Sequence, residues 1–137
     1  MERTLVICKP DAVERRLVGE IVARLERKGL TLIACELRRI DEETARAHYA
    51  EHAEKPFFGE LVSFITRSPS VVIVAGGPKG VWSIVRTLMG PTNPADAPPG
   101  TIRGDFGTLL TENLVHGSDS EESAEREIGI FFPGLSS

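Results

Sequence analysis

Residues 71–75 read VVIVA, an unbroken apolar run in which four of the five side chains branch at Cβ. Branched side chains suit a pleated strand and crowd a helix, and the run is too short for a buried helix, so it reads as a buried strand. Gly76-Gly77-Pro78 then interrupts the chain and opens a helix whose apolar residues, Val81, Ile84, Val85 and Leu88, recur at helical spacing. Toward the N-terminus, Pro56 opens a short helix through Phe57, Leu61, Phe64 and Ile65. Before it, Asp41 is a candidate N-cap for a helix carrying Ala45, His48, Tyr49 and His52 on one face. Residues 30–37 (LTLIACEL) read as a second strand, and Leu17, Val18, Ile21, Val22 and Leu25 mark a helix stopped by Gly29. Residues 4–8 (TLVIC) read as a first strand. Toward the C-terminus, residues 114–116 form a minimal fourth strand, and Ser118 and Asp119, each followed three residues later by Glu, cap a last helix. Four strands with helices between them predict an α/β (α+β) sandwich of the ferredoxin-like, split βαβ kind. Its four-stranded antiparallel sheet is covered by helices, as one domain over residues 1–137.

The composition narrows the function classes. A net charge of −4 argues against a general nucleic-acid binder, so any anion site needs its own cluster of Lys and Arg. No apolar run approaches the roughly 20 residues that span a bilayer, and the N-terminal MERTLVICKPD lacks the layout of a secretory signal. The two cysteines, Cys8 and Cys35, both lie in apolar runs, where Cys acts as a small hydrophobe. A reduced, cytoplasmic setting without a membrane partner is the expectation.

Several short patterns invite chemistry. His48-Tyr49-Ala50-Glu51-His52 fits H-x-x-E-H, with two histidines at i and i+4 as zinc would need, but no third ligand set accompanies it. A half-exposed amphipathic helix face explains it more simply. Gly76-Gly77-Pro78-Lys79-Gly80 lacks the G-x-x-x-x-G-K-[ST] spacing, and Pro78 removes one N–H that would cradle phosphate. Lys9 follows a strand, Arg86 sits late in a helix, and Arg103 lies in a long Pro/Gly-rich stretch, residues 91–113. Each is an ordinary surface charge if taken alone. Loops beyond about 12–15 residues are uncommon unless functional, and the Thr-Ile-Arg-Gly-Asp-Phe centre of this one mixes apolar anchors with charge. His116 is the sharpest case. It is a core or hydrogen-bonding histidine on the bland reading, and on the other a nucleophile just ahead of a helix start whose dipole favours an anion.

These residues sit in blocks that resemble the nucleoside diphosphate kinases. The blocks are Lys9-Pro10-Asp11, His48-Tyr49, Lys55-Pro56-Phe57-Phe58, Thr92-Asn93-Pro94-Ala95-Asp96, the run from Pro99 through Arg103 to Phe106, and Asn113-Leu114-Val115-His116-Gly117-Ser118-Asp119-Ser120. The resemblance implies transfer of a γ-phosphoryl group from a nucleoside triphosphate to a nucleoside diphosphate through a phosphohistidine at His116. It implies phosphate contacts from Lys9, Arg86, Arg103 and Thr92, ribose contacts from Asn113 and Lys9, stacking of the base on Phe57, and Tyr49 beside the phosphates. Ser118 and Glu127 match residues that orient the histidine. Mg²⁺ is expected on the nucleotide phosphates, together with broad base and sugar tolerance and a homo-oligomer, hexamer or tetramer, built from dimers. Ala12, Gly76 and Glu112 depart from the family pattern. Ala12 stands where Gly usually follows Lys-Pro-Asp, and Glu112 would weaken phosphate binding if it faced the site. A nucleotide-binding regulatory module of the same fold without turnover is the alternative.

Overall fold

The computed structural model of the chain describes residues 1–135. Strands β1 (Glu2–Cys8) and β3 (Ser70–Gly77) form the centre of an antiparallel sheet, in register from Glu2 opposite Gly77 to Cys8 opposite Val71. β2 (Thr31–Arg38) lies outside β3 and β4 (Val115–Gly117) outside β1, giving the order β2-β3-β1-β4 with every neighbour antiparallel. The expected ferredoxin-like arrangement is therefore present.

The central strands are apolar throughout because helices cover both faces of the sheet. Val6, Cys8, Val71, Ile73 and Ala75 point to one side, where α2 (Val18–Arg27) and α5 (Val81–Met89) pack. Leu5, Ile7, Val72 and Val74 point to the other, against α3 (Glu42–His48), α4 (Phe58–Thr66) and α7 (Glu121–Phe131). Burying each such side chain stabilises the fold by ~1.5–3 kcal/mol, so neither face of VVIVA tolerates a polar residue. No helix among the described residues is long and apolar enough to cross a membrane.

Local details differ from the sequence reading. Pro10 opens a short helix, α1 (Pro10–Glu14), which supplies the first turn with Asp11; Ala12 is buried in it without a positive φ, so the missing Gly there costs nothing. β2 begins at Thr31 rather than Leu30 and is an edge strand with Ile33 and Leu37 exposed. α3 ends at His48, and Ala50–His52 form a 3₁₀ turn, so His48 and His52 do not share a continuous helix face. The long stretch from 91 to 113 is partly regular, holding a 3₁₀ turn (Pro94–Asp96) and α6 (Ile102–Phe106). The expected cap of the last helix moves too. Ser120, not Ser118 or Asp119, accepts the Ser123 N–H, because the Ser118 hydroxyl is buried and engaged elsewhere. Asp41 does cap α3, accepting from the Thr44 N–H at 2.7 Å.

Candidate active site

The register of β4 decides where His116 points. His116 pairs with Ile7, whose side chain enters the core under α3, α4 and α7, so His116 faces the same side. Val115 and Gly117 face the other. Gly117 keeps this approach close, since a Cβ there would come within 2.7 Å of the Met89 sulfur on α5 and push that side chain aside. The close approach it permits lets Arg86 of α5 donate from Nη1 to the Gly117 carbonyl at 2.9 Å.

α7 presents Glu127 to the histidine. Its Oε1 lies 2.7 Å from His116 Nε2 and accepts the Ser118 hydroxyl at 2.8 Å, while Ser118 Oγ accepts the Leu5 N–H at 3.3 Å. A carboxylate partner puts the ring proton on Nε2. Nδ1 has no hydrogen bond among the described residues. What α7 brings to His116 is thus a carboxylate side chain. His48 packs edge-on against the His116 ring, with centroids 4.6 Å apart. Burial, reinforced by the neighbouring His116 and Arg126 charges, pushes His48 down to about 2, so it stays neutral. Burial raises the Tyr49 hydroxyl to about 12, with the Glu127 charge adding to it.

The cations converge from three elements. Lys9, at the end of β1, donates from Nζ to Asn113 Oδ1 at 2.9 Å, and Asn113 Nδ2 donates to the Thr92 carbonyl at 2.9 Å. Arg103 on α6 is only 4% exposed and donates to the carbonyls of Asn113 (3.1 Å), Gly90 (3.0 Å) and Val115 (2.6 Å). Arg103 and Arg86 therefore hold the carbonyls of the two residues that flank His116, Val115 and Gly117. α6 is positioned by Thr101, whose hydroxyl oxygen accepts the Gly104 N–H at 2.9 Å. A side chain at Gly104 would collide with the Pro98 carbonyl. Burial and then Arg103 push Lys9 down to about 8; burial and then Arg86 push Arg103 down to about 10. Both are cations at neutral pH, held at a desolvation cost that an incoming anion would offset.

Lys9, Tyr49, Phe57, Thr92, Asn113 and His116 line one cleft of about 610 Å³. Arg86, Thr92, His116 and Glu127 line a smaller cavity of about 220 Å³, so His116 and Thr92 stand where the two meet. Arg103 and Ser118 lie behind these walls. Glu112 also lines the large cleft, but it is ion-paired with Arg67 at 3.1 Å, and Arg67 is held in turn by Glu14 at 2.6 Å. Leu110 was not singled out from the sequence. It is 56% exposed and lines the cleft together with Phe57, which is 42% exposed. Its only signal was an apolar Leu109-Leu110 pair in an otherwise polar stretch. His52 lines the cleft as well, but among the described residues the donors that gather within 4.8 Å of one another are those of His48, His116 and Glu127, without His52.

Cations grouped around an imidazole, beneath a cleft whose mouth is apolar, make a site for phosphorylated aromatic ligands, and set this chain among the nucleotide-binding α/β proteins. It belongs to the nucleoside diphosphate kinase family of phosphotransferases, whose pattern it matches over residues 2–136. It is 61% identical to a nucleoside diphosphate kinase of Corynebacterium diphtheriae over 137 residues, covering 98% of each chain. It is 60% identical to that of Frankia casuarinae over 136 residues, 99% of this chain and 98% of the relative. Among solved structures, a halophilic nucleoside diphosphate kinase from Halobacterium salinarum in complex with CDP superimposes with a TM-score of 0.92 at 55% identity, over 96% of this chain and 87% of that one. A Babesia bovis family member gives 0.94 at 43% identity, over 100% and 94%.

Proposed function

We propose that the protein, acting as one domain over its length, moves the γ-phosphoryl group of a nucleoside triphosphate to a nucleoside diphosphate by way of a phosphohistidine at His116. The observation that carries this reading is the His116–Glu127 pair: with Nε2 held at 2.7 Å by a buried carboxylate, Nδ1 keeps its lone pair. In the first half-reaction Nδ1 attacks the γ-phosphorus, the N–P bond forms, and the bridging P–O bond breaks with its electrons leaving on the diphosphate. The ring becomes cationic, and Glu127 lies beside that charge. In the second, a terminal oxygen of another nucleoside diphosphate attacks the phosphorus and the electrons return to Nδ1. Two half-reactions through one covalent state give ping-pong kinetics.

Phosphoryl transfer depends on positioning and charge stabilisation. In this reading Lys9, Arg86, Arg103 and the Thr92 hydroxyl hold the phosphates, with Tyr49 beside them. Arg103 would exchange some of its carbonyl contacts or act through its charge alone. Asn113 and Lys9 take the ribose hydroxyls, and Ser118 keeps Glu127 aligned. Phe57 and Leu110 receive the base between apolar surfaces, a contact open to any base because every base has a π-face. The family in general uses a divalent metal, and the cleft suits one carried on the nucleotide. Among the described residues the cleft offers two carboxylates, Glu60 and Glu112, and Glu112 is already paired with Arg67, which is too few for a protein cage, so Mg²⁺ fits on phosphate oxygens. Such an ion neutralises charge on the transferring group. The exposed Ile33 and Leu37 on edge strand β2 support a dimer as the unit of a hexamer or tetramer, which light scattering in solution would distinguish. The free cysteines Cys8 and Cys35 are in keeping with a reducing cytoplasm.

The test is labelling. Incubation with γ-labelled ATP and Mg²⁺ should give an acid-labile phosphoprotein that passes its label to GDP, CDP or UDP, and His116→Ala should give none. Nucleotide binding without label would favour a regulatory module. Label that survives His116→Ala would refute the assignment, and a strong preference for one base would refute the stacking argument.

A further inference from the structure

We infer that Asp11 is a positioning residue for the nucleotide, setting the place of Asn113 and Lys9 through its grip on Leu114; this rests on the function proposed above. Asp11 is 2% exposed, and its Oδ2 accepts the Leu114 N–H at 3.0 Å. From the same turn, the Lys9 backbone N–H donates to the Leu114 carbonyl at 2.8 Å. Both polar groups of one residue are thus held by the junction between β1 and α1. Leu114 has φ +73°, a left-handed conformation that a bulky residue holds only under such restraint.

The strained residue has a consequence on each side. The carbonyls of Asn113 and Val115 both reach Arg103, and the Asn113 amide spans Lys9 Nζ and the Thr92 carbonyl. The twist at Leu114 sits next to Asn113, whose Oδ1 accepts from Lys9 Nζ at 2.9 Å. α1 supports the same segment a second time, because Glu14 holds Arg67 and Arg67 holds Glu112, next to Asn113. Nor does Asp11 look chosen for packing: its Oδ1 is buried without a partner, and burial raises its pKa despite the Leu114 N–H. A carboxylate rather than an amide makes sense beside the two cations it faces, Lys9 and Arg103. The other titratable groups that share the cleft with Lys9 are Tyr49, His52, Glu60, His116 and Glu112, the last neutralised by Arg67, and His48 from α3 feels the Lys9 charge from behind.

Two substitutions in the full chain separate grip from charge. Asp11→Asn keeps an oxygen for the Leu114 N–H and removes the charge; Asp11→Ala removes both. Asp11→Asn should keep KM for a nucleoside diphosphate within about 3-fold while moving the alkaline limb of kcat/KM to lower pH, since Lys9 loses the Asp11 charge that favours its protonated form. Asp11→Ala should raise KM about 10-fold or more and should lose most of the wild-type discrimination between a ribonucleotide and its 3′-deoxy analogue, because Asn113 is no longer placed for the sugar. Melting curves control for folding, and if Asp11→Ala does not fold, the Asp11→Asn profile decides. An unmoved alkaline limb in Asp11→Asn, or sugar discrimination intact in a folded Asp11→Ala, would overturn the inference. If wild-type His116 labels normally in that case, only the role of Asp11 fails; if it does not label, the function itself does.

Discussion

Replacing Glu127 by Gln tests the chemistry at its narrowest point. Glu127 is 4% exposed, and its Oε1 takes hydrogen bonds from His116 at 2.7 Å and Ser118 at 2.8 Å. Glutamine has the same shape, and its carbonyl oxygen can accept both bonds, so the ring keeps its tautomer and place. What disappears is the negative charge. Ground-state weakening of the two bonds, ~1 kcal/mol between them, is shared by the transition state and leaves the rate unchanged. The differential part comes from the positive charge that grows on the ring as Nδ1 attacks. For full charges about 4 Å apart at an effective dielectric of ~20 the interaction is ~4 kcal/mol, and a half-developed ring charge reduces it to roughly 2–3 kcal/mol once the tight contact is included. That corresponds to a roughly 30- to 150-fold slower phosphorylation of His116. Glu127 borders the smaller cavity and not the nucleotide cleft, so KM should stay within about 2-fold. Loss of a buried charge roughly balances loss of bond strength, and Tm should barely move. Single-turnover rapid quench with excess labelled ATP, alongside thermal melting, measures both. A fall in rate below about 3-fold with unchanged Tm, or a loss wholly in KM, would refute the reasoning.

Lys9 is pushed down from 10.5 to about 8 and is needed as a cation, so kcat/KM should fall by up to about tenfold per pH unit above about 8, and Lys9→Arg should flatten that limb. Because the unfolded chain binds more protons between about 8 and 10.5, this same group makes the fold more stable as pH rises across that window. His48 acts at the other end: its folded value of about 2 lies below the ordinary 6.5, so stability is lost as pH falls from 6.5, by at most ~1.4 kcal/mol per unit, and urea melts of His48→Gln should show a shallower acid slope. Leu110→Ala removes one side of the apolar mouth and should raise KM about 3- to 10-fold for all bases alike, with kcat retained. Arg67→Ala frees the Glu112 charge at the cleft wall and should raise nucleotide KM about 2- to 5-fold, of which Glu112→Gln in the same chain should restore the part due to charge; both groups are well exposed, so Tm should move little.

The elements were legible where one physical demand dominated. VVIVA had to be a strand buried on both faces, and it is the residue-by-residue alternation of β1 and β3 between two cores that makes such runs continuous. Helix ends were less legible because several residues satisfied the same local rule. Ser118, Asp119 and Ser120 are all competent N-caps, and the choice fell to Ser120 once tertiary contacts engaged Ser118 with Leu5 and Glu127. The helix α1 was hidden by its brevity: five residues give no periodicity, and Pro10 at its start was the single cue.

The site was legible as a set of residue types and illegible as an arrangement. Motif blocks named Lys9, Arg103, Asn113 and His116, and the resemblance added Arg86, yet nothing local says that residue 9 should meet residue 113. That follows from register. β1 and β4 pair with Cys8 opposite Val115 and Ile7 opposite His116, so the chain on leaving β1 arrives beside the chain entering β4. A slip of one residue in that pairing would put Val115 or Gly117 in the place of His116 and turn the imidazole toward Met89, away from Glu127. Gly117 and Leu114 oppose the slip from opposite ends. A side chain at 117 would displace Met89 under α5, and the φ of +73° at Leu114 is held by the turn that carries Lys9. The same contacts that fix the register therefore place the cations, which is why residues lacking chemistry of their own, Gly117 and Leu114, stand beside those that have it. Glu112 makes the converse point. Its charge read as a liability from the sequence, and the remedy, Arg67, lies 45 residues away, where only the packing of α4 against α1 brings it into reach.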